Sequence, residues 1–186
     1  MKGAREQGVL EEAGTIYLSY LNEVHTCLAG QEKAIRGLIS LIEESGAVHV
    51  FGFGRSGASA LSLAIRLRHF CGYLPPAWWI GDQVRMPIRQ ADLLILFSKS
   101  GSRPEVMTAA GKAADVGARV AVITANRMFN PGGAAVCTIH IPLCESPFIY
   151  GGGDFELASY FFQEILVSMI GAEKGIPKDE VEKNHV

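Results

Sequence analysis

Charge is scarce and balanced in this chain. Lys plus Arg number 17 and Asp plus Glu 19 among 186 residues, a formal net charge of −2. Without a basic excess there is no global electrostatic case for nucleic acid or an anionic membrane surface as partner. Cysteine is sparse too. Cys27, Cys71, Cys137 and Cys144 form no C-x-x-C pair and read as reduced, mostly buried thiols rather than a disulfide framework. No apolar run is long enough to span a bilayer. The most apolar stretch, 157–170, is interrupted by Gln163 and Glu164 and falls short of the ~20 residues a spanning helix needs. The polar start Met1-Lys2-Gly3-Ala4-Arg5-Glu6-Gln7 leads into no apolar signal core. Low-complexity tracts and repeat periods are missing. The five histidines show no H-x-x-x-H or H-x-E spacing, so no metal site is expected. A cytoplasmic protein without a membrane partner is the expectation.

What is present in quantity is apolar side chain and glycine. The chain is 48% hydrophobic and 19% charged, which excludes a disordered polymer. A chain of this length buries roughly 70% of its unfolded surface and forms about one domain. The 21 glycines follow no collagen-like period, so each asks for a local cause such as a turn, a helix end or a close ligand approach.

Periodicity divides the chain into leading helices over 1–45, a sheet core over 48–142 and C-terminal helices over 154–186. Ile16, Tyr20, Val24, Cys27 and Leu28 share one helical face; Ile35, Leu38, Ile39 and Ile42 share another after a break near Gly30. Gly46 is expected to stop the second helix. Val48–Phe51, Trp78–Ile80, Leu93–Phe97, Val120–Ile123 and Thr138–Ile141 read as strands. A helix is expected through Ala60, Leu61, Ala64, Ile65 and Leu67, and another from Pro104, which suits a helix N1 position. A long helix begins near Asp154 and a short polar one follows Pro177. Strands alternating with helices, and written as apolar runs, predict an α/β, three-layer α-β-α sandwich with a five-stranded, mostly parallel sheet of flavodoxin-like or Rossmann-like type. Ligands of such sheets bind at the carboxyl ends of the strands, so the loops after Phe51, Phe97 and Ile123 are where chemistry is sought.

The first of these loops, Gly52-Phe53-Gly54-Arg55-Ser56-Gly57, fits the G-x-G-x-x-G dinucleotide pattern. The second strand, however, ends without a clear acidic ribose ligand; Asp82 comes nearest but lies rather far on. The second loop carries Ser98, Ser100 and Ser102 before a helix. Hydroxyls and helix N–H groups suit a terminal phosphate with its three acceptor oxygens. Serine and glycine are also ordinary cap and turn residues. For either loop alone the two readings are balanced; together the loops favour a phosphomonoester.

Four stretches then acquire a family likeness: Val50-Phe51-Gly52-Phe53-Gly54-Arg55-Ser56-Gly57, Ala64-Ile65-Arg66-Leu67-Arg68-His69, Ser98-Lys99-Ser100-Gly101 and Gly153-Asp154-Phe155-Glu156-Leu157. Nearly the whole chain resembles a sugar isomerase (SIS) domain. The Phe-Glu-Leu helix start and the terminal Glu182-Lys183-Asn184-His185 are similar to the 6-phospho-3-hexuloisomerase branch. The resemblance implies interconversion of 3-hexulose 6-phosphate and fructose 6-phosphate through a cis-enediol, without cofactor or metal. It implies Glu156 as the base and His185 as a second acid/base. Gly54, Arg55, Ser56, Ser98, Ser100, Ser102 and Arg103 would bind the phosphate, with Arg66 and His69 near the sugar. It also implies a homo-oligomer, a dimer or tetramer, with sites at subunit interfaces. Another phosphosugar aldose–ketose isomerase, for instance of arabinose 5-phosphate, and a non-catalytic sugar-phosphate-binding module are the alternatives.

On the residues alone Glu156 also reads as a helix-dipole partner following an Asp154 N-cap. His185 reads as a solvated terminal residue, able to act only if the tail packs against a site, most naturally a neighbouring subunit's. The family's loop reads Ser-Gly-Ser-Gly-Glu-Thr; here Ser102 stands at the glutamate, and two cations enter, Lys99 at a glycine position and Arg103 at the threonine. Both are candidate cationic contacts to phosphate. The Trp78-Trp79 pair is also atypical.

Overall fold

The structure is a computed structural model that describes residues 2–185. Its helices are α1 (Lys2–Ala29), α2 (Glu32–Glu43), α3 (Arg55–Arg68), α4 (Pro104–Asp115), α5 (Gly153–Glu173) and α6 (Lys178–Glu182). Its strands are β1 (Val48–Gly52), β2 (Ala77–Trp79), β3 (Leu93–Ser98), β4 (Arg119–Thr124) and β5 (Ala135–His140). All strand pairs are parallel, in the order β2-β1-β3-β4-β5. The α/β three-layer sheet expected from the apolar runs is therefore present.

Each face of the sheet has its own core. Val48, Val50, Leu93, Ile95, Phe97, Ala121 and Ile123 pack with residues of α1, α2, α3 and α5. Leu94, Leu96, Val120 and Val122 face the other way onto Val106, Ala110 and Ala113 of α4. β3 is buried along its whole length, which is why its sequence is an uninterrupted apolar run rather than an alternation.

The helix break falls at Gly30–Gln31, where Gln31 has a second task. Its amide donates to the carbonyl of His140 (2.8 Å) and accepts from the His140 N–H (2.8 Å). The side chain thereby satisfies backbone on the edge strand β5. Other boundaries move from their expected places. α2 ends at Glu43, its last turn closed by Glu44 and Ser45 N–H groups on Ser40 and Ile42 carbonyls. Gly46 is thus not the stop; its N–H donates to Ala91 O, and a Cβ there would lie 3.0 Å from Asp92 Oδ1. In α3 the buried stripe is Ala60, Leu63, Ala64 and Leu67, and Ile65 is 47% exposed. The stripe follows i, i+3, i+4, i+7, leaving Leu61 and Ile65 at its margin. β5 starts at Ala135, earlier than expected, with a bulge opposite Val120–Ala121.

The connection from β1 to β2 runs through α3 on one face, and that from β3 to β4 through α4 on the other. β1 and β3 are neighbours, with Gly52 opposite Phe97. Their carboxyl ends therefore diverge into two loops that leave toward opposite faces, opening a crevice at the switch point.

Candidate active site

The crevice is a cleft of about 300 Å³. Its walls are Phe53, Gly54, Arg55 and Ser56 from the first loop, Ser98, Lys99, Ser100 and Arg103 from the second, and Glu156 from α5. The first loop owes its shape to glycine. Gly54 turns the chain into α3 at φ +61, a region that penalises any Cβ. Gly52 and Gly57 touch back to back: a Cβ on Gly57 would lie 2.7 Å from Gly52 O. The strand end and the helix start can therefore close into one tight turn.

The second loop is a web of its own hydroxyls. Ser98 Oγ accepts from the Gly101 N–H (3.1 Å), and the hydroxyls of Ser100 and Ser102 are 2.7 Å apart. Behind it stands the loop after β4. Asn126 Nδ2 donates to Ser100 O (3.0 Å), and the Ala125 N–H donates to Lys99 O (3.3 Å). That third loop, expected to carry chemistry, instead buttresses the second. Arg103 lies over the Phe53 ring, 5.1 Å from its centroid, so the two loops meet at the cleft mouth through a cation–π contact.

Glu156 closes the inner wall. Its Oε1 accepts from Ser56 Oγ (3.1 Å), and its Oε2 lies 3.2 Å from Arg55 Nη2. Oε2 is buried and accepts no aligned hydrogen bond among the described residues. The first loop therefore holds both oxygens of the carboxylate, one through a hydroxyl and one through the Arg55 charge, and fixes its place in the cleft wall.

Asp154 has a different task from the expected N-cap. Gly152 occupies that position, in the left-handed region, and Asp154 sits inside the first turn. Its buried carboxylate binds Lys99 Nζ (2.8 Å) and accepts from the Cys144 N–H (3.1 Å). Burial works to raise its pKa, but the Lys99 bond and the Phe155 and Cys144 N–H groups prevail and hold it below the ordinary carboxylate range. Lys99, a residue of the cleft wall, is thus already ion-paired to Asp154. Tyr20 reaches the same turn, its hydroxyl within 3.0 Å of Asp154 O and 2.9 Å of Pro142 O. Burial, and then the Asp154 charge, hold its phenol protonated far above the ordinary range. Tyr20 reads as plain core in the sequence; only a polar tip on a fully apolar face hints at a partner.

Three expected site residues lie elsewhere in the chain. Arg66 makes a two-pronged pair with Glu164 (2.8 Å on each prong), with His69 Nδ1 3.4 Å from its guanidinium. The His69 ring lies against His185, centroids 3.7 Å apart, and Asn184 Nδ2 donates to His69 O (2.8 Å). These groups sit at the carboxyl end of α3, whereas Arg55 and Ser56 start it. At ~1.5 Å of rise per residue, α3 separates them by about 15–20 Å. Arg66 and His69 do not reach the cleft of their own chain, and neither does His185. Helix periodicity could have warned of this, since positions 56 and 66–69 stand at opposite ends of one helix.

Among the described residues, no group of three or more His, Cys, Asp or Glu side chains is placed to hold a metal ion. No helix among them is long and apolar enough to cross a membrane.

An open parallel sheet with two glycine- and serine-bearing loops at its switch point, and a half-buried carboxylate between them, defines a parallel α/β domain with its cleft at the carboxyl ends of β1 and β3. Residues 41–151 match the SIS domain, and the chain belongs to that family. A 3-hexulose-6-phosphate isomerase of Bacillus subtilis is 29% identical over 175 residues, covering 89% of this chain and 92% of its own. One of Methanocaldococcus jannaschii is 28% identical over 148 residues, covering 80% of each. The crystal structure of a Methanococcus jannaschii protein, for which a 3-hexulose-6-phosphate isomerase function was inferred, superposes with a TM-score of 0.80 at 25% identity. That match covers 96% of this chain and 98% of the other.

Proposed function

We propose that this protein is a phosphosugar isomerase that interconverts 3-hexulose 6-phosphate and fructose 6-phosphate. The observation that carries the reading is Glu156: a half-buried carboxylate held by Ser56 and Arg55 of the first loop, in the wall of a cleft built from two phosphate-type loops. The relatives with this activity span most of the chain, which supports the choice of substrate.

The phosphoryl group sits on the α3 and α4 N-termini, with Gly54, Arg55, Ser98, Ser100, Ser102 and Arg103 around it. Ser56 has a second role, since its hydroxyl already orients Glu156. Glu156 removes the proton from C2. The C2–H electron pair forms the C2=C3 double bond, and the C3 carbonyl oxygen takes up a proton, giving the cis-enediol. The C2 hydroxyl then loses its proton as the C2 carbonyl forms, and Glu156 returns its proton to C3. Atoms and electrons balance without any external oxidant or reductant.

The proton moving between the two oxygens needs a second acid/base group. His185 takes that role in a homo-oligomer, a dimer or tetramer, in which a second copy brings its tail to the cleft. Phe161, Ile165 and Met169, half-buried along a groove on α5, are apolar surface suited to such a contact. The substrate class fits the cytoplasm.

The test is turnover of 3-hexulose 6-phosphate, with fructose 6-phosphate as the measured product. Glu156→Gln lowers kcat by about 10²–10⁴-fold, the usual weight of a general base, while binding of fructose 6-phosphate persists. Turnover of arabinose 5-phosphate in its place would move the substrate. Binding of both sugars without turnover leaves a binding module and ends the isomerase reading.

A further inference from the structure

The first turn of α5 carries Glu156, yet it has little local support. It follows Gly151-Gly152-Gly153, and glycines lose more backbone freedom on ordering than any other residue. Its N-cap, Gly152, offers no side-chain cap. The turn is held by groups from distant parts of the chain. Lys99 Nζ lies 2.8 Å from Asp154 Oδ1, and the Cys144 N–H reaches Oδ2 at 3.1 Å. Gly152 and Lys99 also fit each other: a Cβ at 152 would stand 2.7 Å from Nζ. The ammonium therefore fills the space that the missing side chain leaves.

Lys99 is itself anchored. Its carbonyl accepts from the Ala125 N–H (3.3 Å), and the next carbonyl, of Ser100, accepts from Asn126 Nδ2 (3.0 Å). The chain of contacts thus runs from the end of β4, through the serine loop, into the helix that bears the candidate base. Asp154 and Glu156 are two positions apart on that helix and so face different sides. Asp154 turns to the serine loop, while Glu156 turns to Ser56 and Arg55.

We propose that Lys99 and Asp154 are positioning residues: their ion pair clamps the serine loop to the first turn of α5 and so sets Glu156 against the reacting carbon. The proposal rests on the isomerase reading. It gives a purpose to the lysine that stands where related loops carry glycine. The lysine acts through the helix and does not bind the phosphate. Removing one charge leaves the other uncompensated in a buried place, whereas removing both leaves a neutral contact. A single and a double variant therefore separate loss of fold from loss of position.

The experiment compares Lys99→Met, Lys99→Arg and the double variant Lys99→Met/Asp154→Asn with the unaltered protein. It measures kcat and KM for 3-hexulose 6-phosphate, calorimetric affinity for inorganic phosphate, and the carbon-13 resonance of the Glu156 carboxyl without substrate. Lys99→Met is expected to lower kcat by about tenfold to a hundredfold, the usual effect of a displaced catalytic group. KM and phosphate affinity stay within about twofold, since no ground-state contact is lost. Lys99→Arg, which keeps the pair, recovers most of kcat. The double variant folds and keeps the low kcat. A raised KM and weakened phosphate affinity with kcat intact make Lys99 a phosphate ligand and overturn the proposal; so do unchanged kinetics. If the unaltered protein turns over no hexulose phosphate, the isomerase reading fails by itself. The clamp is then decided by the carboxyl resonance, which moves in Lys99→Met and not in Lys99→Arg if the pair sets Glu156. An unmoved resonance in both refutes it.

Discussion

Ser56 Oγ and Glu156 Oε1, 100 positions apart in the chain, lie 3.1 Å from each other. A residue of the first glycine loop thereby orients the candidate base on α5. The start of α3 and the start of α5 therefore form one corner, joined by the Ser56 and Arg55 contacts to Glu156.

Variants of the serine loop test binding apart from chemistry. Ser98→Ala and Ser100→Ala each remove a hydroxyl from the cleft wall. A hydrogen bond to a charged group contributes ~1.5–3 kcal/mol, or about tenfold to a hundredfold in affinity. The affinity for fructose 6-phosphate is expected to fall by that factor in each variant. Calorimetry measures it, and an unchanged affinity in both removes these hydroxyls from the phosphate site.

Gly57→Ala tests the first loop by steric means. The new Cβ would lie 2.7 Å from a backbone oxygen that belongs to the end of β1, so the strand end has to move. Overpacking of this kind costs about 1–3 kcal/mol. The unfolding midpoint in urea should fall accordingly, together with sugar-phosphate affinity. Gly37→Ala, on the exposed side of α2 with open space around it, serves as the control and leaves affinity unaltered.

Acid stability follows from three histidines. Burial lowers the pKa of His49 despite its bond to Asp92, with Arg85 adding to the effect. Burial lowers that of His69, helped by His185 and Arg66, and that of His140, helped by Arg127 against the Ala125 carbonyl. An unfolded histidine binds its proton near pH ~6.5, and the folded ones bind it only at lower pH. The unfolded state thus gains protons first. Stability is full above about pH 6.5 and falls as the pH drops toward the folded values. Asp154 is depressed as well, so its contribution is lost in a separate, more acidic window. Urea midpoints measured from pH 8 to pH 5 should decline below pH 6.5, and a flat profile contradicts the assignment.

The tail offers a complementation test. Within one chain, His185 rests on His69 at the far end of α3 from Glu156. If a second copy supplies His185, mixed oligomers of Glu156→Gln and His185→Ala contain some sites with both groups intact. Each variant alone should be strongly impaired, and reassembly of a mixture should restore part of the turnover. A mixture no more active than its components removes His185 from the shared site.

Much of the fold is legible in the residues because burial on both sheet faces writes itself as apolar runs. β3 and β4 are read almost to the residue, and Pro104 marks the start of α4. The short edge strand β2 and the bulged β5 are displaced by one to three residues. Their boundaries follow from pairing with a neighbour rather than from local pattern. Ile65 lies in α3 as its spacing predicts, yet one step off the buried stripe, where an apolar residue still looks periodic.

The site divides in the same way. Glycine and serine loops after buried strands are local features, since φ requirements and helix N-termini act over a few residues. Lys99 and Asp154 are 55 positions apart, Ser56 and Glu156 are 100 apart, and His69 and Asn184 are 115 apart. No short-range pattern encodes such pairs.

By itself, then, the sequence determined the alternation of strands and helices, the two anion-type loops and the absence of any global charge to draw a polyanion. Tertiary structure alone decided that β1 and β3 are neighbours, that Glu156 enters their cleft and that Lys99 pairs with Asp154. It also decided that Arg66, His69 and His185 gather at the other end of α3. The physical reason is range: backbone preference and hydrophobic period act within a turn or a strand, whereas an active site is assembled by contacts that exist only after the sheet has been ordered and its helices packed.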